Sequence, residues 1–173
     1  MLQTADIYVL CGIVAGDGGS WTYRELAGRL GVPHALVQRA LRRGDEADLY
    51  SSESRSVHRG NLEEFLVHGL RFLAPAKLGR VVPGVPAAWA AAPMSRKIRE
   101  SGDLPPVWPA ANGRVRGQAL PPLHEAAVAA AEEFPRLGEL LAIVDSLRAG
   151  DVRVRTVAAE MLSEMLSEQP VRG

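Results

Sequence analysis

The sequence predicts a mainly α chain in three parts: an N-terminal group of helices, a proline-rich middle with short β pieces, and a C-terminal helical hairpin. Three observations carry this expectation. Apolar residues recur at helical spacing before residue 70 and again after residue 125. Helix start and stop signals bracket those rows. Nine of the twelve prolines fall between Phe72 and Leu123, which leaves no room there for a long helix.

Thr4 is read as the cap of a first helix reaching about Gly16, with Ile7, Leu10, Ile13 and Val14 on one face. "GDGGS" at 16–20 reads as a loop. "TYRE" at 22–25 fits a capping box, in which the Thr22 hydroxyl accepts from the Glu25 amide while Glu25 reaches back. The second helix runs to Leu30 and buries Leu26, Ala27 and Leu30. Gly31 stands where a left-handed C-cap is wanted. Pro33 falls near the first position of a third helix, 33–43, where its missing N–H costs nothing. That helix turns Val37, Ala40 and Leu41 inward.

"DLY" at 48–50 is read as a short strand and "SSESRSVHRG" as a polar connection. Asn61 is read as the cap of a fourth helix over "LEEFLVHGL", with Leu62, Phe65, Leu66 and Leu70 facing in. "VWPAANGRVRGQAL" reads as two extended pieces about the Asn112-Gly113 turn signal. Helices return over "HEAAVAAAEEF", "PRLGELLAIVDSLRAG" and "DVRVRTVAAEMLSEMLSE". Gly150 as a stop and Asp151 as a cap make the last two an antiparallel hairpin. The parts divide as 1–70, 71–124 and 125–173.

With 173 residues and 47% apolar content the chain has enough to bury a real core. A net charge of zero speaks against a protein that coats nucleic acid indiscriminately. The charge is segmented, however. Residues 1–70 carry seven bases against nine acids, a net of −2. Residues 71–124 carry eight bases against two acids, a net of +6, and residues 125–173 five against nine, a net of −4. The basic middle is therefore expected to dock on the acidic end, within one chain or across a dimer.

One cysteine, Cys11, builds no internal disulfide framework. "IYVLCGIVAG" is too short to span a bilayer and no positive n-region precedes it, so a cytoplasmic location without a membrane partner is expected. His58, His68 and His124 form no metal spacing with Cys11 or with one another. There is no Gly-rich phosphate loop, serine nucleophile elbow or HExxH, so no catalytic residue, metal or cofactor is expected.

Function hangs on "RELAGRLGVPHALVQRALRRG", residues 24–44. It is either a helix-turn-helix made for a DNA groove or two amphipathic helices joined by a glycine. Its cadence resembles the winged helix-turn-helix of bacterial transcriptional regulators of the broad MarR-like group, over roughly residues 5–70. The resemblance implies that the helix at 33–43 is a recognition helix whose outer face carries His34, Ala35, Gln38, Arg39 and Arg42. Gln reads adenine and Arg reads guanine with bidentate geometry. Thr22, Tyr23 and Arg43 would hold the phosphate backbone. "SSESRSVHRG" leaves little room for a wing hairpin, of which Arg55 and Arg59 would be the only bases.

The resemblance further implies a dimeric repressor on double-stranded DNA with two half-sites. Apolar rows at 137–147 and 154–166 would supply the dimer interface. The basic segment 71–124 would add phosphate contacts if it folds beside the recognition helix. "LAPAKLGRVVPGVPAAWAAAP" and "LLAIVDSLRAGDVRVRTVAAEML" also resemble regulators of toxin–antitoxin or phage-defence operons. In those the winged-helix protein is an antitoxin and autorepressor beside a nucleotidyltransferase-type toxin. That is the alternative: a module that neutralises an operon-encoded partner protein.

Overall fold

The computed structural model describes residues 1–16, 19–99 and 103–168. The loop expected at 16–20 therefore lies outside the described residues at 17 and 18. The chain is mainly α, as the sequence predicts.

Helix α1 (Thr4–Ala15) is buried almost all round, with Ile7, Tyr8, Val9, Leu10 and Cys11 fully enclosed. A helix that is apolar on every side belongs in the middle of a fold, and neighbouring helices cover it. Its cap is Gln3 rather than Thr4: the Gln3 N–H donates to Asp6 Oδ2 at 2.8 Å. The buried Asp6 carboxylate needs donors, and taking this one makes Thr4 the first helical residue.

Burial pushes the Cys11 thiol up to about 12, with the Asp145 carboxylate adding to the effect. Cys11 is thus a small core hydrophobe. At about pH 8 it is expected to resist a thiol-reactive dye in the folded protein and to react once urea unfolds the chain. Stoichiometric labelling of the native protein would contradict this placement.

Helix α2 (Tyr23–Leu30) opens with the predicted box: Thr22 Oγ1 accepts from the Glu25 N–H at 3.1 Å, and Glu25 Oε2 accepts from the Thr22 N–H at 2.9 Å. Gly31 closes it in the left-handed region, φ 67° and ψ 32°. Helix α3 (His34–Glu46) begins one residue later than expected, with Pro33 as the cap itself. It also runs three residues beyond Arg43. Gly44 is buried within packing distance of Leu10 and Tyr50, so the helix continues until that contact is made.

The stretch read as a polar connection is a two-rung hairpin. Strand β1 (Tyr50–Ser51) pairs antiparallel with β2 (Ser56–Val57), Tyr50 opposite Val57 and Ser51 opposite Ser56. The Asp45 carboxylate at the end of α3 fixes the turn, accepting from the Ser52 hydroxyl at 2.9 Å. Helix α4 (Arg59–His68) starts before Asn61, so Asn61 is not its cap. Its amide instead donates to the Asp48 carbonyl at 2.8 Å and ties α4 to the loop after α3. A single turn, α5 (Leu70–Leu73), follows.

In the proline-rich segment, β3 (Val81–Pro86), β4 (Pro106–Pro109) and β5 (Val115–Ala119) close into a three-stranded barrel. β3 runs antiparallel to both others, which are parallel to each other. The two extended pieces expected around Asn112-Gly113 are β4 and β5, but they do not form a hairpin. The link between them crosses β3 so closely that a Cβ on Gly113 would lie 2.4 Å from the Gly84 Cα. Only glycine fits at that crossing.

Helices α6 (Ala127–Glu133), α7 (Pro135–Ala149) and α8 (Val152–Ser167) complete the chain. Asp151 caps α8, accepting from the Val154 N–H at 2.9 Å. Gly150 is extended, at φ −73°, rather than left-handed as a Schellman stop would require. The barrel meets α7 through a buried polar network. Trp108 Nε1 donates to Asp145 Oδ2 at 2.8 Å, and Arg148 donates to Asp145 Oδ1 at 2.6 Å and to the carbonyls of Ala74 and Pro121. Buried residues from all three sequence segments form one contiguous core. Among the described residues no helix is long and apolar enough to cross a membrane.

Candidate nucleic-acid interface

Helix α3 buries Val37, Ala40 and Leu41 and leaves His34, Ala35, Gln38, Arg39 and Arg42 exposed. These five stand at i, i+1, i+4, i+5 and i+8, one continuous stripe along the helix. The sequence places them as a group because 3.6-residue periodicity alone separates them from the buried row. Arg42 stays in solvent, 3.9 Å from Glu46.

The start of α2, the start of α3 and the hairpin turn meet in one aromatic cluster. Tyr23 packs edge-on against Trp21 at 5.9 Å and against His34 at 5.7 Å. The Arg55 guanidinium lies over Trp21 at 4.6 Å and over Tyr23 at 5.4 Å, and Arg55 donates to the Trp21 carbonyl at 2.7 Å. Cation–π stacking of this kind pins a long side chain that would otherwise be free. Thr22, Tyr23, His34 and Arg55 are thereby brought together beside the exposed stripe. Trp21 is a member that sequence reasoning missed. The signal was available, because an apolar residue just before a capping-box threonine commonly staples the helix start.

Two expected phosphate contacts are corrected. Arg43 does not face solvent: Nε and Nη2 donate to the two oxygens of buried Asp6 at 2.8 and 2.7 Å, a bidentate pair that holds α3 against α1. Hydrogen bonding to Asp6 also raises the Arg43 pKa above its already high ordinary value. Arg59 donates to the carbonyls of Leu166 and Glu168, where it closes the end of α8 rather than serving the hairpin. Each helix end leaves carbonyls without partners, and a guanidinium supplies several donors at once.

Among the described residues, no strand or 3₁₀ turn of the basic segment packs substantially on α3. Helix α3 packs on α1, α2 and β1, whereas the 3₁₀ turn at Ala88–Ala90 packs on α7 and on β4, and Trp108 of β4 reaches Asp145 of α7. Nor does the segment dock on the acidic helices through charge. Among the described residues no ion pair joins 71–124 to 125–168; the salt bridges that form lie elsewhere. Among the described residues, too, no group of three or more His, Cys, Asp or Glu side chains is placed to hold a metal ion.

No protein-family model matches the chain, and no curated protein or solved structure does either.

Proposed function

We propose that the chain is a sequence-specific DNA-binding regulator, of winged helix-turn-helix type, which reads the major groove with α3 and acts as a dimeric repressor. The observation that carries the reading is the α3 stripe. His34, Ala35, Gln38, Arg39 and Arg42 are all exposed on a helix seated on a left-handed Gly31 turn. Arg and Gln on such a stripe match guanine and adenine edges. The Arg55–Trp21–Tyr23 cluster supports the same reading, since it presents a fixed cation at the hairpin beside the helix start. Thr22 keeps its exposed position, although its hydroxyl is engaged in capping.

The test is fluorescence anisotropy on DNA from upstream of the protein's own gene, against scrambled DNA, at two salt concentrations. Arg39→Ala is expected to cost about 1–3 kcal/mol of affinity for the upstream DNA and to relax preference at one position. Unchanged affinity and unchanged preference in Arg39→Ala would remove α3 from the groove.

A second reading, an antitoxin-like module that neutralises an operon-encoded protein, is favoured by one observation. Phe72 and Val152 are each 70% exposed, apolar surface that a bound partner would cover. Tight binding to the protein encoded next to it, with feeble DNA affinity, would favour this reading over the first.

A further inference from the structure

Between the barrel and the helices α6 and α7 lies an open cleft of about 810 Å³, a volume in the range of small-molecule sites. One wall is helical. Ala131 and Glu132 of α6 face it, and so do Gly138, Glu139 and Ala142 of α7, which share one side of that helix at i, i+1 and i+4. The opposite wall is the barrel: Val85 of β3, Trp108 of β4, and Asn112 and Arg114 of the link to β5.

Small residues keep this cleft open. Ala91, Ala110, Ala131, Gly138 and Ala142 line it and carry at most a methyl group. Close backbone contacts set the position of each wall. A Cβ on Gly138 would lie 3.2 Å from the Ala131 carbonyl oxygen, so α6 and α7 meet backbone to backbone. A Cβ on Gly84 would collide with the Trp108 carbonyl oxygen, which seats β3 on β4. The two walls are joined by the buried Trp108 Nε1 bond to Asp145. A site built this way loses little freedom when a ligand enters.

The charges on the two walls are unlike and unspent. Among the described residues Arg114, Glu132 and Glu139 form no ion pair, and neither they nor Asn112 makes a side-chain hydrogen bond. Opposite charges that line one cleft without meeting leave room for a ligand charged at both ends. An ammonium group has three donors, enough for two carboxylates. A guanidinium takes a carboxylate through two parallel N–H bonds. Between the charged groups the surface is apolar, with Val85 exposed and Val128 half-buried.

We propose that this cleft binds a small zwitterion with an apolar body, of the class of apolar amino-acid derivatives and short peptides. Its ammonium lies toward Glu132 and Glu139, its carboxylate on Arg114, and its apolar body against Val85 and Val128. Asn112 is then placed to serve a peptide group. The site is independent of the α3 reading, since every residue that lines it lies beyond residue 83.

The experiment is isothermal titration calorimetry of the full chain with L-leucyl-L-phenylalanine and two derivatives. The C-terminal amide keeps only the ammonium, and the N-acetyl form keeps only the carboxylate. The dipeptide is expected to bind and to raise the melting temperature. The N-acetyl form is expected to bind about tenfold more weakly or worse, having lost its charge-assisted bonds to the glutamates. Glu132→Gln/Glu139→Gln keeps the shape of the cleft and is expected to erase the advantage of the dipeptide over the N-acetyl form. Arg114→Gln is expected to weaken the dipeptide and to leave the amide bound as before. Melting of each variant without ligand checks that the barrel and helices are intact.

No binding of the dipeptide by the wild type up to about 10 mM overturns the proposal. So does an N-acetyl form that binds as tightly as the dipeptide, or a folded Glu132→Gln/Glu139→Gln variant that binds the dipeptide as the wild type does. An amide that binds more tightly than the dipeptide, with Arg114→Gln inert on both, also overturns it and makes the ligand an organic cation. Glycylglycine has both charges and no apolar body; binding as tight as that of the dipeptide would overturn the role of the apolar walls. Arg39→Ala on upstream DNA reports on α3 whatever the cleft does.

Discussion

Asp145→Ala is expected to cost about 3–5 kcal/mol of stability, because it removes one member of a buried ion pair and strands the other. For a chain of this size that corresponds to a melting temperature lower by roughly 6–20 °C. Asp145 and Arg148 are both enclosed, and the carboxylate is the point where the barrel, through Trp108, meets α7. Burial pushes the Asp145 carboxyl up from its ordinary range; the Arg148 charge and its hydrogen bond, and the Trp108 bond, pull it back. With alanine in its place Arg148 keeps only the carbonyls of Ala74 and Pro121, and the Trp108 N–H has no acceptor. Asp145→Asn, which can still accept from Trp108, is expected to fall between wild type and alanine. The double variant Asp145→Leu/Arg148→Met removes both charges and is expected to recover most of the loss. A melting temperature for Asp145→Ala within about 2 °C of wild type would falsify the claim that this network fastens the barrel to the helices.

The parts of this fold that are legible in the sequence are those decided locally. The rows Val37–Ala40–Leu41 and Leu137–Leu140–Leu141–Val144–Leu147 are buried as their spacing predicts. The caps Thr22 and Asp151 and the left-handed Gly31 are where the local chemistry puts them. Strand β3 is not legible, because Pro83 and Pro86 speak against a strand in isolation. It exists because β4 and β5, distant in sequence, flank it on either side. The hairpin at 50–57 is hidden for a related reason: two rungs leave no alternating pattern, and its turn is held in part from outside, by Asp45 of α3.

The candidate site divides along the same line. The exposed stripe of α3 depends on helical period alone, and the sequence shows all of it. The fates of Arg43 and Arg59 depend on partners 37 and 107 residues away, which no local pattern encodes. A hint is present for Arg43, which stands three residues after the buried Ala40 and so on the flank of the inward face. What converts a flanking arginine into a clamp between helices is Asp6, an acid placed among the apolar residues of α1.

Asp6→Ala is accordingly expected to destabilise the protein by about 3–5 kcal/mol, since it leaves the Arg43 guanidinium without the bidentate partner that holds it between α3 and α1. It also removes the acceptor for the Gln3 N–H at the start of α1. The damage lies where α3 crosses α1, so any loss of DNA binding arises from a displaced α3 and not from a missing phosphate contact. Arg43→Ala separates these causes. Were Arg43 on the backbone, its removal would lower the salt slope by about 1 and weaken all sequences alike at every temperature. As the clamp on Asp6, it is expected to lower the melting temperature strongly and to leave the slope of the still-folded fraction unchanged. Arg43→Lys, which has the charge but not the planar fork, is expected to restore only part of the stability. A stable Arg43→Ala protein with a reduced slope would return Arg43 to the DNA and leave the position of α3 to be explained by apolar packing alone.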